Sequence, residues 1–410
     1  MADSSTKRIG IKTQQWTKDA AARRSAMLQK QRQARRDLDL HARRLAAGSH
    51  ADGATTEDEG SDDGAQPMEL SRHSKKKTRE ERVKARRERF AQQLLVPEWM
   101  VDVPAELNGK GSELGAGWYV EPRPEGKRCL VVTSGGQTIA RIPAGSVLKK
   151  FPSALPGGSH KTNGAGDTYC ILDCIFHEHD STFYVLDVMC WKGYLLYNCT
   201  TEFRFYWMRD KLSEGTAGTV SRANPYRFLT LPCYECDAEG VQAAHSTQFP
   251  FLKDGLLFYL KGAHYDLGLT PLVLVWKDAV TSRFHVFTEK PAIVLRLNEE
   301  GVFTTLEGIP LFETDESFRT LHELSEGDLA KLEYDDQVID QNKAPRLNGM
   351  RFVQRCSPQR ALADSWTKIQ FQYNARIGGV QINDILQVSA ASADTLSPGS
   401  RCLMSLVRTV

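Results

Sequence analysis

No run of eighteen apolar residues occurs in the 410-residue chain, which argues against a transmembrane helix. The first twenty residues contain no apolar segment typical of a signal peptide, so secretion is not expected. The nine cysteines are odd in number and scattered, and a secreted disulfide framework is therefore not expected either. Together these absences predict a soluble protein of a reducing compartment, the nucleus or the cytoplasm.

Positive charge is concentrated near the N-terminus. Residues 1–50 carry twelve Lys and Arg against four acids, whereas residues 51–70 carry seven acids and no Lys or Arg. Residues 71–90 are basic again, with ten Lys and Arg against three acids. Because the whole chain has a net charge of +2, residues 91–410 are left with −6. The sequence thus predicts a basic arm ahead of a mildly acidic body of about two folded units.

The arm has the composition of a helix. No proline or glycine lies between Gln14 and Ala47, and good helix formers dominate, so residues 14–46 are predicted to form one helix ended by Gly48. Its apolar stripe is narrow, and we expect it to be partly disordered alone and to fold on an acidic partner. It holds too little Trp, Phe and Leu for membrane insertion. A solvated charged helix without any partner is the alternative.

Residues 48–93 are predicted to be a disordered linker, acidic at first and basic with a helical pattern from residue 74. Beyond it the pattern changes to short strands. Tyr169–Phe176 and Thr182–Cys190 predict a hairpin, and Thr201–Leu212 predicts a helix rich in aromatic residues. Cys233 and Cys236 have metal-like spacing but no matching second pair, so neither a zinc site nor any other metal or cofactor is expected.

Two features are typical of nucleotide binding. Gly126-Lys127-Arg128 directly precedes a predicted strand, and a glycine followed by two cations suits close approach to phosphate. Trp99 and Trp276 offer aromatic faces on which a purine can stack, and a methylated, positively charged guanine gains cation–π attraction as well. A simple turn and ordinary core packing are the alternatives for these features.

Several segments resemble snurportin, over about residues 8–46 and 90–277. They are Glu98-Trp99, Asp102–Pro104, Gly126–Arg128, Leu155–Gly158, Ile171–Ile175, Tyr184–Trp191, Phe203–Met208, Phe249–Phe251 and Asp254–Tyr259. The resemblance implies an importin-β-binding helical region at residues 1–47, a trimethylguanosine-cap-binding domain at residues 94–290 and an extension of unknown role at residues 291–410. It also implies shuttling between nucleus and cytoplasm.

The resemblance assigns roles to individual residues. Trp276 would stack on the cap guanine, and Val96, Pro97 and Trp99 would form the wall near its methylated edge. The complete cap-binding set is Val96, Pro97, Trp99, Arg123, Lys127, Arg128, Cys129, Ile175, Trp276 and Lys277. The importin-β-binding set is Arg23, Arg24, Arg35, Arg36, Arg43 and Arg44, three adjacent pairs that suit a receptor wrapping the helix. Recycling by an export receptor would depend on the apolar residues ahead of this helix, Met1, Ile9, Ile11 and Trp16.

The snurportin cap domain is in turn similar to mRNA-capping guanylyltransferases, whose first motif is K-x-D-G-x-R. Gly126 and Arg128 match that motif, but Arg123 stands at the position of the nucleophilic lysine. An arginine does not lose its proton near neutral pH and cannot attack a phosphate, so no enzyme is expected. Met350–Arg355 followed by Lys368–Phe371 resembles the last capping-enzyme motif, in an OB-like domain, with an ordinary core strand as the alternative.

The predicted fold class is α+β: a basic helix, a nucleotidyltransferase-like domain of mostly antiparallel sheets, and a β-rich extension. The predicted function is a nuclear import adaptor that joins trimethylguanosine-capped small nuclear RNA to importin-β, without a membrane partner. Two other functions stay open. One is an active capping nucleotidyltransferase that uses another lysine. The other is a general RNA-binding protein whose affinity depends steeply on salt and not on the cap.

Overall fold

The computed structural model describes residues 20–33, 35–54, 79–110, 117–160, 168–284, 291–338 and 346–391. Three helices come first: α1 Ala20–Gln33, α2 Asp39–Ala54 and α3 Arg79–Phe90. The central elements are β1 Leu95–Trp99, β2 Trp118–Pro124, β3 Lys127–Ser134, β4 Gln137–Arg141, β5 Val147–Phe151, β6 Cys170–His177, β7 Thr182–Trp191, β8 Tyr194–Leu195, α4 Thr201–Ser213, β9 Arg227–Thr230, β10 Tyr234–Glu235, α5 Ala238–Ser246, β11 Lys253–Leu260 and β12 Gly268–Trp276.

The C-terminal elements are β13 Ala292–Leu297, β14 Val302–Thr304, β15 Pro310–Glu313, α6 Glu316–Leu321, β16 Leu329–Glu333, β17 Asp336–Val338, β18 Arg346–Asn348, β19 Arg351–Cys356, α7 Trp366–Ile377 and α8 Ile382–Ala390. We call residues 291–391 the C-terminal module. No helix within the described ranges is long and apolar enough to cross a membrane.

Two sheets form the central domain. The first has the order β1-β12-β11-β2-β10, and the second has the order β5-β4-β3-β6-β7-β8 with β9 added beside β7. All pairs are antiparallel except β1 with β12 and β7 with β9. The predicted hairpin is β6–β7 and the predicted aromatic helix is α4, so both are confirmed. The α+β class with mostly antiparallel sheets is confirmed as well.

The two sheets pack face to face, and the alternation of side chains along β12 shows how. Val273 and Val275 point between the sheets into the larger apolar core, together with Leu257 and Tyr259 of β11. Leu274 and Trp276 point to the opposite face, where helices cover the first sheet. Because successive side chains of a strand alternate between faces, β12 is buried on both sides.

The basic arm is not one helix, and this corrects the sequence-based prediction. α1 ends at Gln33 and α2 begins at Asp39, with irregular backbone at residues 35–38. The break follows from tertiary contacts: the backbone N–H of Arg36 donates to the Asn198 side-chain oxygen at 3.4 Å, and the Asn198 amide donates to the Arg36 carbonyl at 2.7 Å. The side chain of Asp37 then accepts from the N–H of Asp39 at 3.1 Å, at the start of α2.

Gly48 does not end the second arm helix, since α2 continues to Ala54. A Cβ at Gly48 would lie 3.1 Å from the ring of Phe90, so the glycine lets α2 and α3 approach closely. The prediction of a disordered linker over residues 48–93 is therefore wrong where α2 continues to Ala54, whereas α3 agrees with the helical pattern predicted from residue 74. The acidic stretch Glu57–Asp63 lies outside the described residues.

The C-terminal module is β-rich, as predicted, with five antiparallel strands in the order β15-β14-β13-β16-β19 and a separate pair, β17–β18. Lys368–Phe371, however, lies in helix α7 and not in a strand. Local capping explains the helix: the Ser365 hydroxyl accepts from the N–H of Lys368 at 3.3 Å, and Gly378 ends the helix in the left-handed conformation, with φ +99°.

Candidate functional site

The turn between β2 and β3 joins the two sheets of the central domain and contains the Gly-Lys-Arg motif. Gly126 has φ +145°, and a Cβ there would lie 2.3 Å from the carbonyl oxygen of Phe176. Only glycine fits this close approach of two backbones. Its neighbour Lys127 points outward, exposed, and pairs with Glu178 at 2.8 Å.

Arg128 is the fixed cation at the centre of the site. Its guanidinium donates to both carboxylate oxygens of Asp173, at 3.0 and 2.6 Å. The Tyr265 hydroxyl also donates to Asp173, at 2.9 Å, and accepts from the backbone N–H of Leu95 at 3.0 Å. Burial opposes the charge of Arg128, but Asp173 outweighs it and raises the pKa of the guanidinium. This chain of bonds ties β1 to the second sheet.

A second charged group contains Arg123, Lys277 and Asp254. The Asp254 carboxylate forms ion pairs with both cations and accepts from the Ser282 hydroxyl at 2.6 Å. Burial and then the nearby Arg123 lower the pKa of Lys277 to about 8. Two cations on one carboxylate leave a positive centre, which suits binding of a phosphate group.

Trp99 lies beside this positive centre, on the strand that also carries Val96 and Pro97. Its half-buried ring packs against Phe371 of α7, with 4.9 Å between the ring centroids. The Lys277 ammonium lies 5.8 Å from the centroid of the Trp99 ring, and the Thr367 hydroxyl accepts from the Trp99 backbone N–H at 3.1 Å. The predicted wall of the site therefore contacts the C-terminal module.

A cavity of about 360 Å³ opens between the central domain and the C-terminal module. Val96, Leu269 and Arg128 line it from one side, and Leu306, Glu307 and Leu362 line it from the other. Both oxygens of Glu307 accept from the backbone N–H of Trp366, at 2.9 and 3.1 Å. Burial raises the pKa of Glu307 above its ordinary value. The volume falls in the range of small-ligand sites.

Trp276 does not offer a face for stacking in this structure, which corrects its predicted role. Its side chain is 1% exposed. It packs with Phe371 and Ile385 in the apolar cluster on the face of the first sheet that points away from the second sheet, which we call the outer-face core. A gap lined by the neighbouring Lys277 and by Val380 has a volume of about 30 Å³, room for one or two water molecules. The indole points away from the second sheet because it shares the outward face of β12.

Two other predicted contacts are core residues as well. Cys129 and Ile175 are fully buried on neighbouring strands β3 and β6. Burial raises the pKa of the Cys129 thiol. Neither side chain reaches a surface that a ligand could contact, so their predicted roles in cap binding are not supported by this geometry.

The structure divides the six arm arginines into two groups. Arg24 pairs with Glu106 at 3.3 Å, Arg36 pairs with Asp266 at 2.7 Å, and Arg23 pairs with Glu98. The other three are exposed: Arg35, Arg43 and Arg44. Of the three adjacent pairs, Arg23 and Arg24 both contact the body, Arg43 and Arg44 both face solvent, and only the Arg35–Arg36 pair is divided between the two.

Sequence reasoning missed Asp173, Tyr265 and Glu307. Asp173 lies within the hydrophobic run of β6, and a lone acid in a buried strand was an available signal, since buried carboxylates are paired. Tyr265 and Glu307 are in loops, where no pattern pointed to a site. Within the described ranges, no group of three His, Cys, Asp or Glu residues is placed to hold a metal ion.

Residues 93–278 match the family model described as "Snurportin1, m3G cap-binding domain". Residues 93–278 therefore form a domain of the snurportin cap-binding family. The match covers the two sheets, the Arg128–Asp173 pair and the Arg123–Lys277 centre. The snurportin domain ends before β13, so Leu306, Glu307 and Leu362 lie beyond it.

Solved structures similar to this chain include DNA ligases. The ligase domain of M. tuberculosis LigD is 11% identical, with a TM-score of 0.31, over 67% of this chain and 98% of that one. A mycobacterial DNA ligase D with ATP and MES is 10% identical, with a TM-score of 0.32, over 67% and 99%. A structure titled "Pmar-Lig_PreS3" is 11% identical, with a TM-score of 0.27, and the chain spans 63% of its length.

Proposed function

We propose that this protein binds the trimethylguanosine cap of spliceosomal small nuclear RNA and couples that cargo to importin-β as a shuttling import adaptor. The family of residues 93–278 is the observation that supports cap binding. The basic arm ahead of this domain supports the second half, since a helix dense in arginine suits the acidic groove of a receptor.

The docked arm indicates how receptor binding would proceed. Leu28 is buried against the outer-face core, and Gln31 bonds to Asp266 and to the backbone of His264. A receptor that wraps the arm must break these contacts and the three ion pairs of Arg23, Arg24 and Arg36. The exposed arginines are available for the first encounter. Receptor affinity therefore includes the cost of releasing the arm from the body.

The same proposal holds that the protein is not an enzyme. Arg123 occupies the position of the nucleophilic lysine and is bound to Asp254.

One observation favours the alternative, a nucleotidyltransferase that uses another lysine. Lys277 lies in the same charged group with a pKa of about 8, so a fraction of it is unprotonated near neutral pH.

A ternary-complex experiment tests the adaptor function. Immobilised RNA with a trimethylguanosine cap should capture importin-β only when this protein is present. Changing Arg35, Arg43 and Arg44 to Ala should reduce importin-β capture while the protein itself still binds the RNA. Capture of importin-β by the triple variant at the wild-type level would refute the role of the exposed arginines. Failure of the wild type to bind the RNA would refute cap binding.

Recycling by an export receptor remains a prediction. The apolar residues on which it would depend, Met1, Ile9, Ile11 and Trp16, lie outside the described residues.

A further inference from the structure

The cavity between the two modules contains residues that the snurportin domain does not supply. Leu306, Glu307 and Leu362 form one side of it, in the C-terminal module. Val96 and Arg128, on the other side, are residues that were expected to contact the cap. The cavity therefore brings the expected cap contacts against a part of the chain that has no assigned role.

The charge of this cavity favours a cation. Arg128 is neutralised by its two bonds to Asp173 and offers little net charge to a ligand. Glu307 has no cationic side chain among its bonded partners in the described ranges, and its carboxylate bonds to the N–H of Trp366 at the start of α7. Leucine and valine side chains cover much of the remaining wall. An apolar cavity with one buried carboxylate attracts a cation of low polarity more than a neutral polar molecule.

The trimethylated guanine of the cap has these properties. Methylation gives the ring a positive charge, and the two methyl groups on the exocyclic nitrogen replace hydrogen-bond donors with apolar surface. By contrast, the gap of about 30 Å³ between Lys277 and Val380 is too small for a base. The cavity of about 360 Å³ has room for one.

We propose that the C-terminal module completes the site for the methylated base, and that the carboxylate of Glu307 is the group that distinguishes the methylated cation from unmethylated guanine. This inference rests on the proposed cap-binding function and gives residues 291–391 a role in it.

The test uses the full-length chain and two ligands, the trimethylguanosine cap dinucleotide and its unmethylated counterpart. Glu307→Gln removes the charge but keeps an oxygen that can accept from the N–H of Trp366. We expect this variant to lose about tenfold in affinity for the methylated cap and to change little toward the unmethylated one. Glu326→Gln, an exposed position of the same module, is the matched control and should bind both ligands as the wild type does.

A second variant keeps the test decisive if Glu307→Gln lowers the melting temperature. Leu362 lies in an irregular segment, and Leu362→Trp places a larger side chain into the cavity. This variant should lower the affinity for both ligands. Wild-type affinity for the methylated cap in either variant would overturn the inference, as would an equal loss for both ligands in Glu307→Gln. If the wild type binds neither ligand, the proposed cap-binding function itself fails, which is a distinguishable result.

Discussion

The indole N–H of Trp276 donates a hydrogen bond to the carbonyl oxygen of Val380, at 2.9 Å. This bond joins the last strand of the snurportin domain to the segment between α7 and α8. Asn108 strengthens the same junction, because its side-chain amide donates to the carbonyl of Ala391 at 2.9 Å. The C-terminal module is thus bonded to the cap-binding domain on its outer face.

The first prediction follows from this burial. Trp276→Ala should lower the free energy of unfolding by about 3–5 kcal/mol, because it opens a cavity in the outer-face core. Trp276→Phe is the control and should cost less, since it keeps most of the ring volume. Thermal denaturation measures both. A stable Trp276→Ala variant with weakened cap affinity would instead restore the stacking role.

The second prediction concerns release of the arm. Asp266 accepts bonds from Arg36 and Gln31, so Asp266→Asn should weaken docking of the arm to the body. We expect affinity for importin-β to rise roughly threefold to tenfold, because less free energy is needed to free the arm. Glu239→Gln, an exposed position of α5, is the control. Unchanged or reduced affinity in a binding titration of Asp266→Asn would show that docking does not compete with the receptor.

The third prediction concerns pH. Burial, and then the nearby Asp187, raise the pKa of Glu121 well above its ordinary value of 4.5. The folded protein therefore keeps a proton that the unfolded chain releases, and stability falls as pH rises from 4.5 toward the folded pKa. Glu121→Gln removes this dependence. Its stability relative to the wild type should grow by about 1.4 kcal/mol per pH unit in that window. A difference that does not change with pH would contradict the assignment.

The fourth prediction separates the adaptor from the enzyme. Incubation with labelled GTP and a divalent metal should leave no covalent adduct, because Arg123 cannot act as the nucleophile. A labelled band that survives denaturing electrophoresis, and that disappears in Lys277→Ala, would identify Lys277 as a nucleophile and refute the adaptor-only account.

Local patterns were sufficient to predict the central elements. The β6–β7 hairpin and α4 could be predicted because β-rich apolar runs, turn residues and segment length are signals within a few neighbouring positions. The break in the arm could not, because it depends on Asn198, more than 160 residues away in sequence. Intrinsic helix propensity favours continuity there, and a tertiary contact overrides it.

The face of β12 on which the Trp276 side chain lies could not be predicted from the sequence either. Both faces of β12 are buried, so its run of apolar residues carries no alternation that could show which side meets the second sheet. The roles of Val96 and Trp99 on β1 were inferred from the family resemblance, and they stay predictions. The wall that Glu307 contributes comes from a loop, and its position depends on packing between modules.

Cap selectivity tests the central claim most directly. Fluorescence titration of the full-length protein compares the trimethylguanosine cap dinucleotide with the monomethylguanosine form. The account predicts tighter binding of the trimethylated cap, because the cavity offers Val96, Leu269 and Leu362 to the two extra methyl groups. Equal affinity for the two forms, or tighter binding of the monomethylated one, would contradict it.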